Sequence, residues 1–438
     1  MLKAGAALED ISPIRPSFLY GYPHVPRTST GVHDPLLAAA LYLGNGRTEL
    51  LLIALDILFI SKGSADRCRE DIHAKTGIPV AHILISATHT HSGPVTADYL
   101  AFRRDPVVPK TDPTYLAYFE SRIVEAGVAA WKKRVDAELA VTSARIEGVG
   151  TNRLSPDGLA DQEAGLLAVR RSDSKELLAL NLVYGMHPTV LHEDSTLVSG
   201  DFPGLAKQKL VEAFPGLIPL YHTGPSGNQS PRYSVKGQTF AEAERLGGLL
   251  AAPVIERVKA LGDADYDRDP VLKAATAFLQ LEPRTYMSYQ DAEANLKAKV
   301  AHYEKLKKDG APHGPVRTAE CTVFGAEELV ALAEAQENGE LRLWQERCSK
   351  IQLQALRMGS ACLACIPGEV FVEYGLELKK KAPMKTWPVS LANGEVQGYI
   401  VTPEAELEGG YEAQCGFFKA SNGARIVESL LTLLGRLA

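Results

Sequence analysis

The chain has 438 residues, 45% of them hydrophobic and 23% charged, with a formal net charge of −6. That is ample material for a large core, and the absence of a long basic run argues against nucleic acid as a partner. No apolar run reaches the length of a bilayer, since the longest, Leu50 to Ile60, is interrupted by Asp56, so no stable membrane insertion is expected. Met1-Leu2-Lys3-Ala4-Gly5 lacks the apolar core of an export signal, and the six scattered cysteines fit reduced thiols. A cytoplasmic location is the expectation. Cys362 and Cys365 form a single C-x-x-C with apolar neighbours, and a zinc finger would need a second pair.

In chain order, Leu36 to Leu43 and Glu49 to Ile60 read as strands around the hairpin signal Gly44-Asn45-Gly46. Gly21-Tyr22-Pro23-His24 and Gly31-Val32-His33 before them read as loops. Residues 61 to 76 read as a helix. The apolar run Ile83-Leu84-Ile85 then feeds Thr88-His89-Thr90-His91-Ser92-Gly93-Pro94, a strand entering a tight loop. On an extended chain His89 and His91 would point to one side, as a metal or a developing oxyanion would require. Tyr115 to Lys133 has helical spacing. Glu138 to Ile146 and Gly165 to Arg170 alternate as strands, with Thr151-Asn152-Arg153 as a polar loop between them.

Leu178 to Tyr184 is another apolar strand, and it also runs into a histidine, in Met186-His187-Pro188-Thr189. Ser199-Gly200-Asp201-Phe202-Pro203-Gly204 leads into a helix to about Phe214, with Pro203 well placed near its start. The strand Leu217 to His222 enters the glycine-rich turn Gly224 to Arg232, which contains Ser230 and lacks the ending of a P-loop. A long helix is expected over Gly237 to Leu261. Residues 284 to 347, rich in Ala, Glu, Lys and Gln with a break at Gly310 to Pro315, read as a helical hairpin serving as lid or packing layer. Strands resume at Ile351 to Arg357 and Ala361 to Ile366, and a helix is expected to begin at Pro367-Gly368-Glu369. Trp387 to Val401 reads as a strand carrying Tyr399, and Ser421 to Leu437 as a closing helix capped by Ser421.

The fold class is therefore α/β in a mixed α+β arrangement: mixed sheets flanked by helices. With no internal repeat or linker, residues 1 to 438 are expected to form one catalytic domain with a helical insertion at about 284–347. Several apolar strands end in a residue suited to chemistry, and sites gather at such ends. Two imidazoles and a carboxylate are a common zinc set with a position left open. Bound zinc acidifies water and polarises a carbonyl, which suits amide hydrolysis. Ser230 is outside a G-x-S-x-G elbow, so an α/β-hydrolase reading is weak.

These residues, in this order, resemble the neutral (alkaline, non-lysosomal) ceramidase family. The string His89-Thr90-His91-Ser92-Gly93-Pro94 carries the resemblance, with Thr151-Asn152-Arg153, His187-Pro188-Thr189, Ser199-Gly200-Asp201, Gly227 to Pro231, Pro367-Gly368-Glu369, Tyr399 and Tyr411. It extends over about residues 3 to 430. It implies Zn2+ held by His89, His187, Glu369 and Tyr399. It implies that His91, Arg153 and Tyr411 bind the amide carbonyl or its oxyanion, and it places Ser230 beside the metal water. There are departures. Val95-Thr96 stands where the family has Gly-Gly, Asn228 and Arg232 alter the serine context, and Phe202-Pro203 alters the loop after Asp201. The family's signal peptide and C-terminal immunoglobulin-like domain are not recognised. The expected activity is zinc-dependent hydrolysis of a linear N-acyl amide by metal-activated water. The partner would be a small-molecule amide, N-acyl or lipid-like, and the departures favour a soluble amide over membrane ceramide. A metal-dependent esterase, a hydrolase with Ser230 as nucleophile, or a non-catalytic zinc-binding relative are the alternatives. Oligomeric state is not legible.

Overall fold

A computed structural model describes residues 1–438, apart from the side chain of His313. Its largest sheet runs, in spatial order, through Ile218–Thr223, Leu177–Tyr184, Glu163–Arg171, Val135–Arg145, Lys3–Asp10, Leu37–Gly44, Glu49–Leu55 and Ile83–Ala87, with Tyr266–Asp267 added beside Val135–Arg145. The neighbours are antiparallel except at the two ends. There Ile218–Thr223 lies parallel to Leu177–Tyr184, and Ile83–Ala87 parallel to Glu49–Leu55. The end strands are near-continuous apolar runs because both of their faces are covered.

The sheet curls until its two end strands face each other. Ser86 Oγ on one is 2.6 Å from His222 Nδ1 on the other. The segment Ser390 to Asn393 closes the gap: Ser390 N–H donates to Thr223 O at 2.9 Å and Asn393 N–H to Ile85 O at 2.7 Å. Right-handed twist accumulating over many strands produces this curl. The loops that follow Ile83–Ala87 and Leu177–Tyr184 are thereby brought together, though they begin about 100 residues apart in sequence.

A second sheet, in the order Leu272–Gln280, Lys350–Met358, Ala361–Cys365 and Lys385–Val389, packs against the first. Leu356, Leu363 and Trp387 share one core with Leu41, Leu52 and Leu167. Its other face is covered by helix Asn422–Leu437, whose Ile426, Leu430 and Leu434 are buried there. Helices Lys62–Thr76 and Pro113–Lys132 cover one face of the large sheet, and Asp201–Ala213 and Phe240–Lys259 cover another part of it.

Most elements lie where the periodicity places them, and four expectations are corrected. Glu369 does not open a helix. It forms a two-residue strand with Val370, paired in parallel with Tyr399–Ile400, and the helix starts at Val372. Trp387 to Val401 is not one strand, because Leu391, Asn393 and Gln397 adopt positive φ and turn the chain between Val389 and Tyr399. Ser421 precedes the last helix in a helical conformation, and its side chain caps nothing. The region 284–347 holds three helices, Tyr289–Lys308, His313–Glu337 and Glu340–Cys348. Cys362 and Cys365 face different cores from one strand, so they cannot share an ion. Among the described residues, no helix is long and apolar enough to cross a membrane.

Candidate active site

The site is built where the loops after three strands meet. His89 follows Ile83–Ala87. Thr88 N–H donates to Leu55 O at 2.8 Å and His89 N–H to Ile57 O at 2.9 Å, extending the parallel pairing past the strand's end. His89 then takes φ 73°. That left-handed turn, not an extended dipeptide, brings its ring and that of His91 together, with centroids 4.9 Å apart and nearly perpendicular. His187 follows Leu177–Tyr184, its N–H bonded to Gln229 O at 3.1 Å. Glu369 lies beside Tyr399 in register. The Gly227-Asn228 turn fastens this third piece, through Gly227 N–H to Val370 O at 2.9 Å and Val372 N–H to Asn228 Oδ1 at 2.9 Å.

Three atoms converge: His89 Nε2, His187 Nε2 and Glu369 Oε2 are each 3.2 Å from the other two. The other ring nitrogens settle the tautomers. His89 Nδ1 faces Leu58 O at 3.0 Å. His187 Nδ1 faces Ser226 O at 2.6 Å and Gln229 O at 3.1 Å. Carbonyls only accept, so the protons reside on Nδ1 and both Nε2 atoms present lone pairs. Burial, reinforced by the Arg153 guanidinium, pushes His187 down to about 4, so its ring is neutral near pH 7. Glu369 Oε2 is buried and receives no hydrogen bond. Three acceptors facing one another this closely are a set that could hold a cation. Three donors set tetrahedrally at about 2.0–2.1 Å from one ion stand about 3.3–3.4 Å apart, close to the spacing found. Carbonyls that orient each ligating ring through Nδ1 are the usual support of such a centre.

His91 adds a third imidazole, and its donor atom lies within 4.8 Å of those of His89 and His187. Its Nδ1 faces Gly21 O at 3.0 Å, and its Nε2 is buried without a partner. Burial, then the neighbouring rings of His89 and His187, hold it well below its ordinary value. In this tautomer Nε2 accepts. A neutral His91 thus presents a lone pair to the cleft, and only a protonated ring would donate to an oxyanion there.

Arg153 presents an unpartnered donor beside these rings. Its Nε bonds Glu412 Oε1 at 2.6 Å in a buried ion pair, Nη1 lies 3.4 Å from His187 Nε2, and Nη2 is buried with no partner. Although burial acts against its charge, Glu412 and the Tyr399 phenol keep its proton affinity well above the ordinary value. The guanidinium carbon is 5.3 Å from the centre of the Tyr399 ring and 5.9 Å from that of Tyr411. Tyr399 also stacks with His187 at 6.5 Å. Burial foremost, then Glu369 for Tyr399 and Glu328 for Tyr411, hold both phenols protonated. Ser230 forms a short bridge with Thr151, and its Oγ accepts the Arg232 N–H at 3.2 Å. Among the described residues, no imidazole or carboxylate lies within hydrogen-bond distance of that oxygen.

A cleft opens over this centre, and His91, Arg153, Ser230, Tyr399 and Tyr411 line it. Tyr22 from the early loop and Arg317, Cys321 and Phe324 from helix His313–Glu337 complete its walls. The inserted helices thus supply part of the cleft as well as a packing layer. Glu412, Tyr22 and Phe324 went unassigned in the sequence. Glu412 adjoins Tyr411 and could have been found from that position, whereas nothing in its Ala- and Glu-rich surroundings singles out Phe324.

Residues 3–215 match the profile described as neutral/alkaline non-lysosomal ceramidase, N-terminal. That match covers just under half of the chain. The neutral ceramidase of Pseudomonas aeruginosa shares the fold, with a TM-score of 0.77 at 16% identity over all of this chain and 74% of that one. A structure described as ceramidase complexed with C2 is similar, with a TM-score of 0.76 at 16% identity over all of this chain and 75% of that one. At that identity the likeness shows the fold. No curated protein matches.

Proposed function

We propose that this chain is a ceramidase-like, zinc-dependent amidohydrolase that cleaves a linear N-acyl amide in the cleft. The observation that carries the reading is the triangle of His89 Nε2, His187 Nε2 and Glu369 Oε2, 3.2 Å on each side, with Glu369 Oε2 receiving no hydrogen bond. Two imidazole nitrogens and a carboxylate oxygen are a donor set suited to zinc. Tyr399, paired in register with Glu369, would complete the set. When bound, the ion would supply Lewis acidity toward the amide carbonyl and lower the pKa of water.

The protein's own groups then divide the work. The free Arg153 Nη2 donates to the carbonyl oxygen as negative charge develops, held in place by Glu412. The Tyr411 hydroxyl assists it. His91 Nε2 accepts the proton of the attacking water and returns it to the departing amine. Buried surroundings make each of these interactions stronger than in water. The whole chain acts as one catalytic unit in this reading, with the inserted helices as one wall. The ceramidase solved with C2 supports a lipid-like amide as one substrate type.

Ser230 as nucleophile is the weaker alternative, because it lacks a base. The test is kcat and bound zinc for Tyr411→Phe and Ser230→Ala on short N-acyl amides and on ceramide. Tyr411→Phe should keep zinc and lose about 10²–10³ in kcat. Ser230→Ala should keep zinc and much of its activity. A stoichiometric acyl-enzyme burst in the wild type, with zinc-loaded Ser230→Ala inactive, would contradict the water mechanism.

A further inference from the structure

The cleft wall contains three arginines, Arg153, Arg232 and Arg317, two histidines, His91 and His192, and no Asp or Glu. Two of the arginines are neutralised from behind. Arg153 holds Glu412 at 2.6 Å. Arg317 holds Glu193 at 2.9 Å and Glu320 at 2.6 Å. Arg232 has no such partner: among the described residues, no carboxylate oxygen lies within 4.0 Å of its guanidinium. Its bonds go to neutral acceptors. Nη1 donates to Arg153 O and to Thr318 Oγ1, both at 3.2 Å, and Nη2 to Cys321 Sγ at 3.4 Å.

These weak bonds orient the side chain without neutralising it. They run to the backbone of Arg153 on one side and to helix His313–Glu337 on the other. Arg232 is also two residues from Ser230, so the charge stands close to where the scissile amide would lie. A half-buried guanidinium without a counter-ion, on a wall without carboxylates, suits an anionic oxygen group that can take its fork in two parallel bonds.

We propose that Arg232 is a specificity-determining residue that binds an anionic group on the amine portion of the substrate. The substrate class is then N-acyl amides carrying a carboxylate, as in N-acyl amino acids, or a phosphate. Val235 and Phe324 on the same wall offer apolar surface to the acyl chain. The inference rests on the amidohydrolase reading of the neighbouring centre.

The test uses the full-length, metal-loaded protein and matched octanoyl amides: N-octanoylglycine, its uncharged glycinamide counterpart, N-octanoylethanolamine and N-octanoylphosphoethanolamine. The expected result is a KM for one or both anionic compounds at least 10-fold below that of the neutral ones. The glycine and phosphoethanolamine arms show which anion is preferred. Arg232→Gln should raise the anionic KM about 10–100-fold, the size of a charge-assisted bidentate pair. Neutral amides should keep kcat and KM within about threefold, and Arg232→Lys should recover part of the loss. A purely structural Arg232 would instead impair all four compounds alike. Equal KM values, or uniform impairment, overturn the inference and leave the amidohydrolase reading standing. In parallel, the Glu369→Gln protein is titrated calorimetrically with the same compounds. If no amide is cleaved by the wild type, the amidohydrolase reading fails. Arg232-dependent anion binding in the titration would then still support the anion site, and its absence would overturn it.

Discussion

His89 at φ 73° shows how a single residue takes on strain to build a site. A left-handed conformation costs a non-glycine residue about 1–2 kcal/mol. Here the backbone bonds to Leu55 O and Ile57 O, and the ring's bond to Leu58 O, impose it. His89, His187 and Glu369 stood out in the sequence because each follows an apolar strand, whereas Arg153 and Tyr411 were singled out only by the resemblance; the structure brings all five together. The conformation of His89 and the tautomer of His91 were not, because both depend on carbonyls supplied by distant segments. His222 permits a test of the scaffold behind the site. Burial pushes it down to about 3, so the folded protein binds fewer protons than the unfolded chain between that value and about 6.5. Stability attributable to His222 must therefore fall as pH falls through this window. Denaturant titrations at pH 7 and pH 5 should show the wild type losing about 2 kcal/mol more than His222→Gln over that interval. Equal losses would mean that His222 is protonated in the fold.

At the scale of elements, the end strands were legible as apolar runs bounded by glycine and proline. The two-residue strand at Glu369 and the turns between Val389 and Tyr399 were hidden, since isolated short pairings leave no periodicity. The role of helix His313–Glu337 was hidden for a different reason: its Ala- and Glu-rich texture looks the same whether it packs or lines a cleft. Gly325 on that helix lies against Tyr411, and a Cβ there would come within 3.1 Å of Tyr411 Cα and of its ring. The helix is also fixed from the opposite side, where Glu327 meets His24 at 2.8 Å, so it cannot easily retreat. Gly325→Val should therefore displace Tyr411. We expect kcat to fall toward that of Tyr411→Phe with bound zinc unchanged, and stability to drop by about 1–3 kcal/mol from overpacking. A variant with full kcat would show that the helix yields and that Tyr411 is not held by it.

For the molecule as a whole, the curl of the large sheet is what makes the centre. It brings the end of Ile83–Ala87 to the end of Leu177–Tyr184, and the second sheet adds Glu369 from the far half of the chain. No local pattern predicts that closure, although the resemblance in ordered motifs implied which residues it would unite. The account stands on a cation bound by His89, His187 and Glu369. The most direct measurement is elemental analysis of the purified protein and of Glu369→Ala, with amide hydrolysis assayed before and after chelation. The account predicts about one zinc per wild-type chain, loss of activity on chelation with recovery on adding zinc, and neither zinc nor activity in Glu369→Ala. Metal-free wild-type protein with full activity would contradict it.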